Sequence, residues 1–354
     1  MAAFTIDEVK AVRKPRDSWW TVFLVDPLAC RLTLLIANRT AVTPNGVTRL
    51  SILLGLASAA CFAVRELAAG AALFYLSFVV DCVDGKLARL KGTGTPFGLW
   101  LDYVGDRLRV ACCAAGLACG QYAVTGDPAY PLMGGAVVLL DLFRYINGPQ
   151  LKRVREATRE QARQAASRRW SAECVFVEDI LSRSPQTGVR DLLSGGPVPG
   201  DGEGGRGPVG AVVPDGRPLI DLHARFRARF PWFDRFRRAL ARRRVRTHVM
   251  SGIEYHAAVF VIAPLIGPAA LLPVAVSGSL LLVLFEAGLV YRIWLATREI
   301  ARVAAAPYPT HLIAGEAGSE VIAALPQPRN ARRTSPHPAP HLTVVPDPKE
   351  GVLA

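Results

Sequence analysis

The stretch DCVDGKLARLKGTGTPFGLWLDYVGDR, residues 81–107, decides how the chain is read. It sets four carboxylates, Asp81, Asp84, Asp102 and Asp106, into apolar surroundings. The first pair is spaced i, i+3 and the second i, i+4, so each pair shares one face of a helix. Lys91-Gly92-Thr93-Gly94-Thr95-Pro96 offers a turn between the two helices. Folded back antiparallel, the helices gather all four acids at one end. Four anions in a partly buried site need cations, and hard divalent ions with oxygen ligands are the expected partners. Mg²⁺ suits a phosphate-bearing ligand. Gly85 and Ala88 leave room for a ligand to approach the backbone, and Arg89 offers a planar fork for phosphate. The competing reading is a set of helix-end acids paired with Lys86, Arg89 and Arg107.

Outward from this stretch the chain is greasy. Hydrophobic residues make up 51% of the 354 and charged residues 20%, yet the net charge is +13. That combination excludes disorder throughout and points to a membrane protein with basic surfaces. Apolar stretches near 44–64, 68–89, 98–123 and 129–149 form a first group of spans. The long apolar run after Ala257 is divided by Ile266-Gly267-Pro268 into spans near 250–267 and 272–295. The expected fold is therefore all-α, with six transmembrane helices. Residues 18–39, with Trp19, Trp20, Phe23 and Leu28, suit an amphipathic helix lying in the interface ahead of the first span; the alternative is a seventh span, against which Asp26 and Arg31 near its middle argue. Charges at Asp81 to Arg89, Asp102 to Arg109, and Asp141 with Arg144 intrude into the spans, where such residues face a cavity.

The expected organisation is a cytoplasmic N-terminus with the interfacial helix over 1–43 and helices one to four with the acidic motif over 44–149. A basic insert follows over 150–248, then helices five and six over 249–296 and a disordered Pro-rich tail over 297–354. The insert holds 21 Lys and Arg against 11 Asp and Glu, which is +10 of the +13. Residues 194–218 within it read as a Gly/Pro-rich linker that need not fold. The Lys and Arg bias sets both termini and the insert on the cytoplasmic side of the cell membrane. The insert then faces anionic lipids, through Arg242, Arg243, Arg244 and Arg246 among others, which excludes nucleic acid as the partner. The alternative is that this cluster only orients the fifth span. No signal-peptide apolar region precedes residue 18, and the seven cysteines, with no CxxC pair, read as buried hydrophobes.

Asp81, Asp84, Gly85, Ala88, Arg89, Gly98, Asp102 and Asp106 fit the pattern D-x2-D-G-x2-A-R-x8-G-x3-D-x3-D without a gap. This resembles the signature of the class I CDP-alcohol phosphatidyltransferase family. The resemblance covers residues 40–150 closely and 250–295 by span count, and the long insert departs from it. It implies that Asp81, Asp84, Asp102 and Asp106 ligate divalent metal, two Mg²⁺ (or Mn²⁺) ions, and that Asp106 is also the general base. Gly85, Arg89 and Thr95 would border the CDP moiety. The segment TPNGVT resembles the family's first-span entrance, so Asn45, Gly46, Val47 and Thr48 would contact the cytidine nucleotide. Thr43-Pro44-Asn45 also reads as an ordinary helix cap.

The implied reaction is transfer of a substituted phosphate from a CDP-linked lipid donor to an alcohol acceptor, with release of CMP, in phospholipid synthesis at the bilayer. The resemblance further implies a homodimer. The acceptor stays open: among Arg144, Lys152, Arg153, Arg155, Glu254, His256, Glu286 and Arg292, a phosphorylated polyol would favour the arginines and a neutral or amino alcohol the carboxylates. Two other readings stand beside this one. A soluble CDP-polyol could be the donor, or the chain could be a non-catalytic anchor that recruits partners through its basic insert.

Overall fold

Two threonines and a glycine set the register of the helices that carry the acids. Thr43 caps α3 (Pro44–Ala63), its Oγ1 accepting from the Gly46 N–H at 3.3 Å, and Thr95 caps α5 (Pro96–Thr125) by accepting from the Gly98 N–H at 2.9 Å. Each helix has proline in its first turn, where the missing N–H costs nothing. Between them α4 (Leu67–Lys91) ends at Gly92, whose φ of +64° closes the helix in the left-handed region. The computed structural model describes residues 3–183, 185, 209–212 and 217–306.

Ahead of α3 lie α1 (Ile6–Ala11), a π-helical turn (Thr21–Val25) and α2 (Asp26–Arg39). After α5 comes α6 (Ala129–Trp170), then the insert. The bundle is completed by α10 (Gly252–Ala257), a second π-helical turn (Ala258–Ile262), α11 (Ala263–Ile266) and α12 (Pro268–Ala305). Helices α3, α4 and α5 pack by close backbone approach. A Cβ on Gly116 or Gly120 of α5 would lie 2.3 Å from the carbonyl oxygen of Ala59 or Phe62 on α3. Small residues four apart are the usual device for this in lipid, where burial of apolar surface supplies little drive.

Among the described residues, six helices are long and apolar enough to cross a membrane, as expected of an all-α membrane protein, but they are not the six expected. Thr21–Arg39 qualifies, whereas Gly252–Ile266 is too short. The latter is broken by the π-helical turn and stops at Gly267. It is nonetheless core: Tyr255 and Phe260 are fully buried, and Phe260 packs on Phe62 and Phe74. Irregular helix is tolerated at such depth where protein surrounds it. Asp26, at the start of α2, pairs with Lys86 near the end of α4. A short connection after Arg39 then brings Thr48 to Asp84 on that same end of α4. Both ends of α2 thus meet one end of the bundle, the disposition of a helix lying across it.

The insert differs most from its sequence reading. Helix α6 does not end at 149 but runs through Pro149 to Trp170, and α12 continues past 296 to Ala305. On these extensions sit β1 (Val175–Phe176), α7 (Val177–Arg183), β2 (Val209–Val212), β3 (Pro218–Ile220), α8 (Ala224–Arg229) and α9 (Phe233–Arg242). The strands form a sheet of order β1-β3-β2, with β1 parallel and β2 antiparallel to β3. Phe176, Ile220 and Leu222 join Ala162 and Ala166 of α6 and Ala296 and Val303 of α12 in a second core. Part of the stretch read as an unfolded linker is therefore strand; residues 194–208 lie outside the described residues, as does the expected tail from 307 onward. Arg244 and Arg246 pair with Asp26 and Asp17, which leaves Arg242 and Arg243 as the exposed members of the arginine cluster.

Candidate active site

The C-terminal end of α4 and the first turns of α5 converge as the motif spacing requires. Asp81, Asp102 and Asp106 each present a carboxylate oxygen, and these oxygens lie within 4.8 Å of one another. Asp84 stands apart from that trio: its Oδ2 accepts from the Thr48 hydroxyl at 2.5 Å, which ties α4 to the second turn of α3. Three hard oxygen donors at that spacing could hold a divalent cation, and the donor set fits Mg²⁺ or Mn²⁺.

Arg109, one turn beyond Asp106, is the residue that the sequence reading passed over. It is buried, its guanidinium bonds Asp106 through Nη2, and Nη1 lies 3.4 Å from Asp81. Nη1 also donates to the Ser51 and Ser77 hydroxyls at 2.9 and 3.1 Å. The approach needs Gly55, where a Cβ would lie 2.7 Å from Arg109 Cγ. The signal was present in the sequence, since Arg109 is i+3 from Asp106 and i+7 from Asp102 on one helical face.

A cleft of about 720 Å³ opens beside the acids. Asn45, Thr48, Asp81, Asp84, Gly85, Arg89, Thr95 and Asp102 line it, with Gly98. Gly98 is required there, because a Cβ would lie 2.5 Å from Asn45 Oδ1. Gly46 and Val47 do not line the cleft; Val47 faces the core and the Gly46 N–H closes the helix cap. The exposed Arg89 donates from Nε to the Val12 carbonyl at 2.8 Å. The N-terminal segment adds walls that the motif did not announce: Lys14, Asp17 and Asp26, with Lys86 of α4.

Asp106 lines a second, smaller cavity, with Arg107, Arg109, Arg144, His256 and the aromatic Trp20, Tyr75 and Phe78. Arg107 pairs with Asp141, His256 Nε2 lies 3.0 Å from the same carboxylate, and Arg144 lies 3.4 Å from Glu286. Of the candidate acceptor residues, Arg144 and His256 reach this cavity. Glu254 instead closes a capping box with Ser251, Lys152 pairs with Glu156, and Arg292 lies over Phe226 and Phe233 in the insert.

Residues 41–152 match the model of the CDP-alcohol phosphatidyltransferase family. Over 99 residues the chain is 35% identical to phosphatidylinositol phosphate synthase of Mycobacterium tuberculosis, a stretch covering 27% of this chain and 46% of that protein. It is 34% identical over 87 residues to archaetidylinositol phosphate synthase of Methanothermobacter thermautotrophicus, covering 25% and 45%. With the bifunctional IPC transferase and DIPP synthase of Rubrobacter xylanophilus it shares 34% over 101 residues, covering 28% and 23%. The chain spans less than half the length of each relative. The matched segment contains both acid-bearing helices and the capped entrance of α3: residues 41–152 form a CDP-alcohol phosphatidyltransferase domain.

Proposed function

We propose that the protein transfers a substituted phosphate from a CDP-linked lipid to an alcohol, releasing CMP. The observation that carries this is the position of Asp106. Its carboxylate belongs to the trio with Asp81 and Asp102, yet the residue lines the second cavity rather than the large cleft. It stands between a site for a donor and a site for an acceptor. Asp81, Asp102 and Asp106, with Asp84 beside them, would hold the divalent ions. When bound, such ions polarise the donor's diphosphate and stabilise the charge that develops on it.

Asp106 accepts the proton of the acceptor hydroxyl, and Arg109 fixes the carboxylate in place for that transfer. The acceptor oxygen then forms a bond to the phosphorus nearer the lipid alcohol, and the bond from that phosphorus to the CMP oxygen breaks. Arg89 and the backbone at Gly85 bind the diphosphate, and Asn45, Thr48 and Thr95 border the nucleotide. Arg107 and Arg144 line the second cavity and favour an acceptor that itself bears phosphate. The relatives named for phosphorylated inositol lipids agree with this. Both termini and the insert face the cytoplasm of the cell membrane, as the distribution of Lys and Arg favours.

The test is CMP release by purified protein with CDP-diacylglycerol or a soluble CDP-polyol, each combined with free or phosphorylated polyols. Release is expected with the lipid donor and a phosphorylated polyol, dependent on Mg²⁺ or Mn²⁺. Asp81→Asn and Asp102→Asn, each still folded in detergent, should abolish it. Release with only the soluble donor would establish the other donor class, and full activity of either Asn variant would remove the acid site.

A further inference from the structure

The far end of the insert is stitched to the wall of the large cleft. The Asp17 N–H donates to the Arg244 carbonyl and the Arg246 N–H donates to the Asp17 carbonyl, both at 2.9 Å, closing a parallel bridge between Asp17 and Val245. Arg244 holds a left-handed φ of +60°. A residue with a side chain stays there only where its surroundings over-determine it. Its guanidinium shows what does so: Nη2 donates to the Lys14 carbonyl at 2.6 Å, and Nη1 lies 3.5 Å from Asp26 Oδ2. The other oxygen of Asp26 lies 2.9 Å from Lys86 Nζ. Asp26 and Lys86 are 5% and 4% exposed, and both line the cleft with Asp84, Gly85 and Arg89. One buried carboxylate is shared between a cation of α4 and a cation of the insert.

We propose that Arg244 is a positioning residue for donor binding: by keeping Asp26 paired, it frees Lys86 to turn to the donor's diphosphate. The proposal rests on the reading of the large cleft as the site of a CDP-linked donor. A lysine carries a compact charge on a flexible stem, so its ammonium can swing from a carboxylate to a phosphate. The obstacle is Asp26, because stripping a buried carboxylate of its cation is strongly unfavourable. Arg244 removes that obstacle, since Asp26 keeps a partner after Lys86 has turned. Without Arg244, Lys86 is locked into a one-to-one pair that the diphosphate must break. Arg244 also anchors the segment whose Val12 carbonyl engages Arg89. Both basic side chains of α4 at the cleft therefore answer to a wall that the insert holds in place.

The full chain in detergent is titrated calorimetrically with CDP in the presence of Mg²⁺. Arg244→Gly suits the left-handed backbone while removing the guanidinium. It should raise the Kd for CDP roughly tenfold, a change of about 1.4 kcal/mol. Arg242→Ala, the same charge change at an exposed neighbour, should leave Kd as in the wild type. The decisive variant is Asp26→Asn combined with Arg244→Gly. Lys86 then has no carboxylate to abandon, and Kd should return to within about twofold of the wild type, a departure from additivity expected of coupled residues. A merely structural role for Arg244 makes the double variant bind more weakly than Arg244→Gly alone. That result overturns the proposal, as does an unchanged Kd in Arg244→Gly. Wild-type protein that binds no CDP removes the donor-site reading itself and this inference with it, an outcome told apart by appearing before any substitution.

Discussion

Arg109 is a buried cation that reaches two members of the acid trio, and its removal has a defined consequence. Arg109→Gln leaves Asp81 and Asp106 without their shared guanidinium in a mostly buried site. In chelator the variant should lose roughly 3 kcal/mol of stability relative to wild type. Added Mg²⁺ should recover most of that loss, because a divalent ion between the same oxygens supplies the missing charge. Equal melting temperatures with and without Mg²⁺ would mean that the acids take no cation. Asp106 and Arg89 should separate kinetically. Asp106→Asn should lower kcat with nucleotide affinity nearly unchanged, since proton transfer belongs to the transition state. Arg89→Lys should instead raise KM for the donor, as the planar fork is lost while the charge remains. The four aspartates were legible because helical spacing alone brings i, i+3 and i, i+4 pairs together. The division of labour among them was not: the hydroxyl of Thr48, on another helix, draws Asp84 aside.

At the scale of the elements, apolar length read well and interruption read poorly. The long helices α3 to α6 and α12 follow from runs of apolar residues. The break inside 252–266 is a π-helical turn over Ala258–Ile262, directly ahead of Pro264, with Tyr255 and Phe260 fully buried around it. In the insert, β3 pairs with Val175–Phe176, more than forty positions away in the chain, across a Gly/Pro-rich stretch that hides any periodicity. The insert's core also carries a titratable group. His223 is buried, and burial, with Arg292, Arg155 and Arg159 nearby, holds its pKa well below the usual 6.5. Glu178 lies 3.9 Å from its Nε2, 3.8 Å from Arg227, and does not reverse that shift. The neutral ring is favoured in the folded state, so the stability it supports is complete above pH 6.5. It falls as the pH drops from there toward the folded value, because the unfolded chain takes up the proton. Protection factors of the amides over 218–229, with the intrinsic pH dependence of exchange divided out, should therefore fall between pH 6.5 and 5 in wild type, and much less so in His223→Gln. Parallel profiles would assign the acid sensitivity to another group.

For the whole molecule, the insert is built into the bundle rather than appended to it. It rests on α6 and α12, and its last arginines knit to the N-terminal segment. Charge counting could place it beside the membrane but could not reveal those attachments, since pairing of Arg244 with Asp26 joins residues 218 positions apart. Two deletions distinguish attachment from tethering. Removing 194–208, which reads from the sequence as part of a Gly/Pro-rich linker, should leave CMP release within about twofold, because loop length enters stability only logarithmically. Removing 209–220 takes out β2 and β3, including Ile220 of the second core, and should expose the insert to protease and weaken donor use. Equal behaviour of the two deletions would make the sheet dispensable.

The 42 residues of α6 and the 38 of α12 have a practical corollary. At 1.5 Å per residue they reach roughly 63 and 57 Å, about twice the hydrocarbon thickness of a bilayer, roughly 30 Å. Two stiff rods cross-braced by a small sheet therefore stand clear of a detergent micelle. Particles of this size usually look featureless in electron micrographs, because the micelle hides every helix. Here the braced rods act as a built-in fiducial, giving each particle image an orientation before any antibody fragment is added.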